Sequence, residues 1–189
     1  MLAPDPHAAA SRSTTASGAP ARGTLSAEDV VDAAVALLQD FGVGDLSMRR
    51  VAAQLGVQAS ALYWHVPNKQ TLLARVADRI VADVEHAVTV RDLRTVAELD
   101  AATTAALLRH RDGADVVISA LALGLGGARL HRLFVSAAAQ ENASPEHAEA
   151  ELARVLGAAT LRQQRAQAQA LGVDLGPDFQ ARLRREEDS

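Results

Sequence analysis

Tyr63, Trp64 and His65, with Lys69 just beyond them, bring two amphipathic rings, an imidazole and the chain's only lysine onto one short stretch. Side chains of these types can hold a partner from one small surface. They supply hydrogen bonds to phosphate oxygens and apolar contact to thymine methyl groups. Immediately before them, Ala59, Ser60 and Ala61 are small enough to let a backbone approach another molecule closely. The plainer alternative makes Leu62, Tyr63 and Trp64 core residues of an ordinary helical hairpin.

Covalent and metal chemistry find no comparable group. The chain has no cysteine, hence no thiol nucleophile, disulfide or thiolate-bound zinc. None of its six histidines forms a metal pair with another His, Asp or Glu in a recognised arrangement, and His131 and His147 lie 16 positions apart. The glycines at 124, 126 and 127 follow no strand, so they do not read as a phosphate or dinucleotide loop. No catalytic residue, metal ligand or cofactor is assigned, and the chain is not read as an enzyme.

The elements that must position the Tyr63 to Lys69 cluster run from Leu46 to Leu73, LSMRRVAAQLGVQASALYWHVPNKQTLL. Ser47 is a helix N-cap, Val51, Ala52 and Leu55 recur at helical spacing, and Gly56 stands where the last turn closes left-handed. A second helix is expected from Gln58 to His65, packing Leu62 and Val66 inward. Two short helices about a tight Gly turn form a helix-turn-helix, whose second helix fits the DNA major groove.

ALYWHVPNK, preceded at fixed distance by LSMRRVAAQLGV, resembles the recognition segment of the tetracycline-repressor (TetR) family, in particular its subgroup with a Leu-Tyr-Trp-His run. The resemblance is specific over residues 24–85 and extends beyond them only as architecture. It implies a head that binds a palindromic double-stranded DNA operator as a homodimer, and a body that takes a small-molecule effector, whose binding releases DNA. It places the DNA contacts on Arg49, Gln58, Ala59, Ser60, Tyr63, Trp64, His65 and Lys69. The chain departs from the family pattern at Met48, Ala59 and Pro67, so no known operator sequence is carried over. The alternative from another class is a helical protein-interaction module of the same fold without DNA binding.

The expected fold class is all-α: a three-helix helix-turn-helix domain followed by a helical-bundle ligand-binding and dimerisation domain. Residues 1–23, rich in Ala, Ser, Thr, Pro and Gly, read as a disordered tail in which Arg12 and Arg22 could brush DNA. The DNA-binding domain spans 24–68, a linking helix 69–85 and the regulatory and dimerisation domain 86–189. Ser26 and Asp29 sketch a capping box for a first helix striped by Val30, Ala34, Leu37, Leu38 and Phe41. Asn68 caps the fourth. Further helices are expected from about Asp92 to His110, Ala114 to Leu123, through Leu130 and Phe134, and from Pro145 to Leu171, with Phe179 and Leu183 packing back beyond them.

Composition sets limits on all of this. With 49% hydrophobic but only 3% aromatic residues, the core is aliphatic, as helices of Ala, Leu and Val provide. The net charge is −4, and residues 24–85 hold five Lys and Arg against eight Asp and Glu, so a generally basic surface is excluded and DNA attraction must be local. No membrane-spanning run or export signal is read, which suits a cytoplasmic protein. An effector site is expected on Leu99, Thr103, Leu107, His110, Val117, Leu121, Leu130 and Phe134, aliphatic enough for an apolar or amphipathic molecule. The dimer seam is expected on the Pro145–Leu171 helix, through Ala148, Leu156, Ala159, Ala166 and Ala170, and on the segment from Pro177 to Arg185.

Overall fold

Ser26 starts the first helix as its spacing requires. In the computed structural model, which describes residues 25–173 and Gly176, its hydroxyl accepts the Asp29 N–H at 3.1 Å while the Asp29 carboxylate accepts the Ser26 N–H at 2.8 Å. The Ser26 hydroxyl, which donates to the same carboxylate at 2.6 Å, and the Ser26 N–H hold the Asp29 carboxyl below its ordinary value. Helix α1, Ala27–Phe41, buries Val30, Ala34, Leu37 and Leu38, but not Phe41, which is 44% exposed. The Arg50 guanidinium lies 4.2 Å above its ring, so the last residue of the expected stripe serves a cation instead of the core.

Ser47 and Gly56 bound α2, Met48–Leu55, one accepting the Arg50 N–H and the other left-handed at φ 67°. Helix α3 is only Ala59–Leu62, half the expected length. Residues 63–65 continue as tight turns because Leu62 O accepts the N–H groups of both His65 and Val66. Leu62 and Val66 are fully buried, so the anticipated packing holds while the helix does not extend through it. Asn68 then caps α4, Lys69–Arg91, accepting the Thr71 N–H at 2.8 Å. This helix passes Glu85 without a break and closes only at Asp92, left-handed at φ 52°.

Four helices build the body: α5 (Val96–Arg109), α6 (Gly113–Ala122), α7 (Ala128–Gln140) and α8 (Pro145–Ala170). Thr95 and Glu98 form a second capping box, so α5 begins later than Asp92. Helix α6 packs on α4, α5 and α8, with Ala114, Val116, Val117 and Ala120 buried, which gives it the central place expected of it. Ser144 caps α8 ahead of Pro145. All described elements are helical, and one apolar cluster runs from Val30 in α1 to Ala159 in α8.

The expected seam on α8 is corrected. Ala148, Leu152, Val155, Leu156 and Ala159 pack inside their own chain, Ala148 and Ala159 with no exposure at all. Only Ala166 and Ala170 of the anticipated set reach the surface. The outward apolar row is instead Ala150, Ala153, Gly157 and Leu161. The tail 1–23 with its arginines, and the stretch from Pro177 to Arg185 with Phe179 and Leu183, lie outside the described residues.

Head and body meet along α4. Arg79 reaches back to Asp32 at 2.6 Å and Glu28 at 2.5 Å on α1, while Asp78 accepts the Gly127 N–H and Glu85 pairs with Arg129 at the start of α7. Gly126 sits so close that a Cβ there would stand 2.7 Å from the Ala74 carbonyl oxygen. Gly126→Ala must push the α6–α7 turn off α4 and is expected to cost about 1 to 3 kcal/mol, read as a lower urea midpoint at unchanged slope.

Candidate nucleic-acid interface

Buried Leu62 and Val66 pin the α3 turn to the head from within, and that anchoring turns its other side chains outward. Tyr63 is 51% exposed and Trp64 89%. So large an apolar surface left in water on a compact head marks a contact surface. Gln58 and Ser60 are exposed beside them, Ala59 and His65 half-buried. Gln58 caps no amide of α3, so its side chain is available for base or phosphate. Lys69 leans on the α1–α2 loop, its Nζ 3.5 Å from the Val43 carbonyl oxygen, a weak tether that a phosphate can replace.

The two arginines of α2 separate by role. Arg49 is exposed and forms no ion pair among the described residues. Arg50 is committed to Asp45 at 2.6 Å and to the Phe41 ring. Part of the acidic charge of the head is locally paired: Arg79 bridges Glu28 and Asp32, Arg50 pairs with Asp45, and Asp29 is engaged in its capping box. What remains around α3 is local positive charge from Arg49 and Lys69 with polar and aromatic groups between, the pattern suited to phosphate positioning and groove contact. Of the eight residues expected to touch DNA, Gln58, Ala59, Ser60, Tyr63, Trp64, His65 and Lys69 lie on α3 or in the turn that follows it up to the start of α4, and Arg49 stands exposed on α2.

The residues expected to line an effector site are not gathered about one cavity. Leu99, Thr103, Leu107, Val117, Leu130 and Phe134 are buried in the core, and the Thr103 hydroxyl has no hydrogen-bond partner there. Leu99 borders a cavity of about 380 Å³ beside the α4–α5 turn, and Leu121 one of about 530 Å³ between α7 and α8. His110 borders a cleft of about 810 Å³ between the α5–α6 turn and α8. Its Nε2 lies 3.4 Å from Asp83, which also holds Arg109.

Sequence reasoning misses the polar joint beside that cleft. Gln163, only 8% exposed, donates to the Leu107 and His110 carbonyls and accepts the Ala114 N–H, so one side chain closes α5 and opens α6. Asp112 is left-handed at φ 54° and caps nothing in its own helix. Its carboxylate accepts the Val43 N–H at 2.7 Å and the Gln167 amide. Gln in a polar run and Asp in an Arg-Asp-Gly turn give no local signal of partners so distant in sequence. Among the described residues no group of three or more His, Asp or Glu could hold a metal ion, and no helix is long and apolar enough to cross a membrane.

Residues 30–76 match the model of bacterial regulatory proteins, tetR family. The fold is similar to the crystal structure of Mycobacterium smegmatis BioQ, at TM-score 0.69 and 36% identity over 85% of this chain and 92% of that one. It is similar also to BioQ solved with its natural double-stranded DNA operator, at TM-score 0.67 and 31% identity over 87% and 96%. The class D tetracycline repressor of Escherichia coli is 38% identical over 96 residues, 49% of this chain and 44% of that protein. The chain thus spans less than half the length of the curated relatives that it matches. The named relatives are transcriptional regulators or repressors rather than enzymes.

Proposed function

The chain belongs to the tetR family of bacterial regulatory proteins, and from that premise we propose that it is a cytoplasmic transcriptional repressor. As a homodimer it holds a near-palindromic operator, and a small apolar or amphipathic molecule releases it. The observation that carries this reading is the pair Tyr63 and Trp64, presented to solvent by a turn whose own anchors, Leu62 and Val66, are fully buried. Within the family we place it in the subgroup with the Leu-Tyr-Trp-His run, Leu62 to His65, without carrying over the drug. By function we divide the chain into 24–68, 69–85 and 86–189, with α4, which itself runs on to Arg91, as the lever shared by both parts.

A single short recognition element reads few base pairs, so two heads set their α3 turns roughly 34 to 36 Å apart, one turn of DNA. The outward row of α8, Ala150, Ala153, Gly157 and Leu161, is the seam that sets this spacing, since small residues permit close helix approach. Duplex DNA selected from a random pool by the purified protein should yield an inverted repeat. Tyr63→Ala and Lys69→Ala should each weaken that duplex by about 1 to 3 kcal/mol, while circular dichroism stays that of the wild type. Unchanged affinity in both variants would remove this face as the DNA surface.

A further inference from the structure

We propose that the cleft between the α5–α6 turn and the C-terminal half of α8 is an effector site for an amphipathic organic anion, coupled to the head through Asp112 and Val43. The coupling half rests on the repressor reading above; the binding half does not.

The cleft exists because α8 outruns the helix that covers it. Gln163 is buried beneath the end of α5, yet Ala166, one turn later on the same face, is exposed, and Leu108 opposite is 39% exposed. Between them lies about 810 Å³, the size of a small-molecule site, for which about 300 to 1,000 Å³ is usual. Leu108 and Ala166 give it apolar surface, and Arg111 and Arg162 give it two guanidinium groups. Arg165 also borders it and already has a partner, so the site does not depend on it. The one carboxylate among the described lining residues, Asp112, is already occupied on both oxygens by Val43 and Gln167. Positive charge with fork-shaped donors beside apolar surface fits a carboxylate carried on a hydrocarbon.

The same turn grips the head. Gln39 donates to the Arg109 carbonyl at 3.0 Å and accepts the Arg111 N–H at 2.7 Å. Arg111 donates from Nη1 to the Asp40 carbonyl at 3.0 Å, and Asp112 holds the Val43 N–H. A carboxylate that draws on Arg111 competes with the Asp40 carbonyl, and any displacement of Gln167 frees Asp112. Both changes act on the segment that leads into α2. This is a route from body to head separate from α4, and its two-sided hydrogen bonding gives the ligand different partners in the two arrangements, which coupling requires.

Calorimetric titration of decanoate into the full chain tests the site, with decanol as the neutral control. Decanoate should bind the wild type and bind Arg162→Glu about tenfold or more weakly, as loss of a charge-assisted contact implies. Decanol should bind the wild type more weakly than decanoate does. Arg162→Ala, lacking the reversed charge, repeats the comparison in case the first variant folds poorly. No heat with decanoate below its micelle concentration, or equal binding by wild type and both Arg162 variants, overturns the site. Coupling is read on the selected duplex: saturating decanoate should lower its affinity by about tenfold in the wild type. Gln39→Ala should bind decanoate unchanged yet lose most of that effect. Decanoate bound at the cleft with duplex affinity unchanged in the wild type overturns the coupling. If no duplex can be selected at all, the repressor reading fails and calorimetry still decides the site.

Discussion

Ala159→Glu is expected to unfold the body rather than to separate the two subunits of a dimer. Ala159 has no exposed surface and lies in the apolar cluster beneath α8, where a carboxylate would meet aliphatic neighbours and no described cation. Burying one unpaired charge costs several kcal/mol after relaxation, against a total stability of about 5 to 15 kcal/mol. The burial raises the new carboxyl's pKa, so its sign is fixed. Below the ordinary glutamate value of about 4.3 the group is neutral in both states, and the steric cost and the desolvation of a neutral carboxyl remain. The electrostatic deficit grows as pH rises from there and is complete above the raised value. Thermal melts followed by circular dichroism across that range check both size and direction. Leu161→Glu, on the outward row and 52% exposed, should behave oppositely, keeping its helices while light scattering shows a smaller particle. A variant at 159 that stays folded and merely becomes monomeric would restore the inward face as the seam.

That contrast shows where the sequence ceases to be legible. Periodicity puts Ala148, Leu152, Val155, Leu156 and Ala159 on one face of α8, and they do share it. Periodicity alone does not tell which neighbour covers a face, and alanine suits both a close partner helix and a tight core. Caps are the most readable feature: Ser26, Ser47, Asn68 and Ser144 each accept the N–H three residues on, since that bond depends on local sequence alone. Thr95 and Glu98 carry the same signature and mark the true start of α5, whereas Asp92, where the spacing suggests that start, ends α4 instead.

The candidate interface is legible for a different reason. Spacing and residue type point Leu62 and Val66 inward and Tyr63 and Trp64 outward, and the burial pattern agrees, while Lys69 is half-buried beside the Val43 carbonyl. What spacing does not reveal is that α3 stops at Leu62, because the bonds from His65 and Val66 to the Leu62 carbonyl close a tight turn and not a continuing helix. Nor does it separate Arg49 from Arg50. Their difference lies in the Phe41 ring and Asp45, which tertiary folding brings to one of them. The joint at Asp112 is the least readable element, since its partners stand 69 and 55 residues away in the chain.

Gly42→Ala strikes that joint directly and is expected to be the most damaging single-methyl change in the head. Gly42 has φ 80° and ψ 174°, a region essentially reserved for glycine, where another residue costs about 1 to 3 kcal/mol. The added Cβ would also stand 2.6 Å from the Asp112 carboxylate oxygen and 3.1 Å from Arg111 Nε. The Asp112 oxygen is the acceptor of the Val43 N–H at 2.7 Å, so relieving the clash means giving up the bond that ties the α1–α2 loop to the body. A partly buried amide left without its acceptor adds about 1 to 3 kcal/mol, and the two costs together approach half the stability of an ordinary domain. Urea unfolding gives the total. Asp112→Ala removes the acceptor and the obstacle while leaving Gly42 in place, so it should show the loss of the carboxylate's bonds to Val43 and Gln167 without the backbone cost at Gly42. In the double variant Gly42→Ala with Asp112→Ala the clash is gone, and the combined loss should fall short of the sum of the single losses. Strict additivity would mean that Gly42 and Asp112 do not meet.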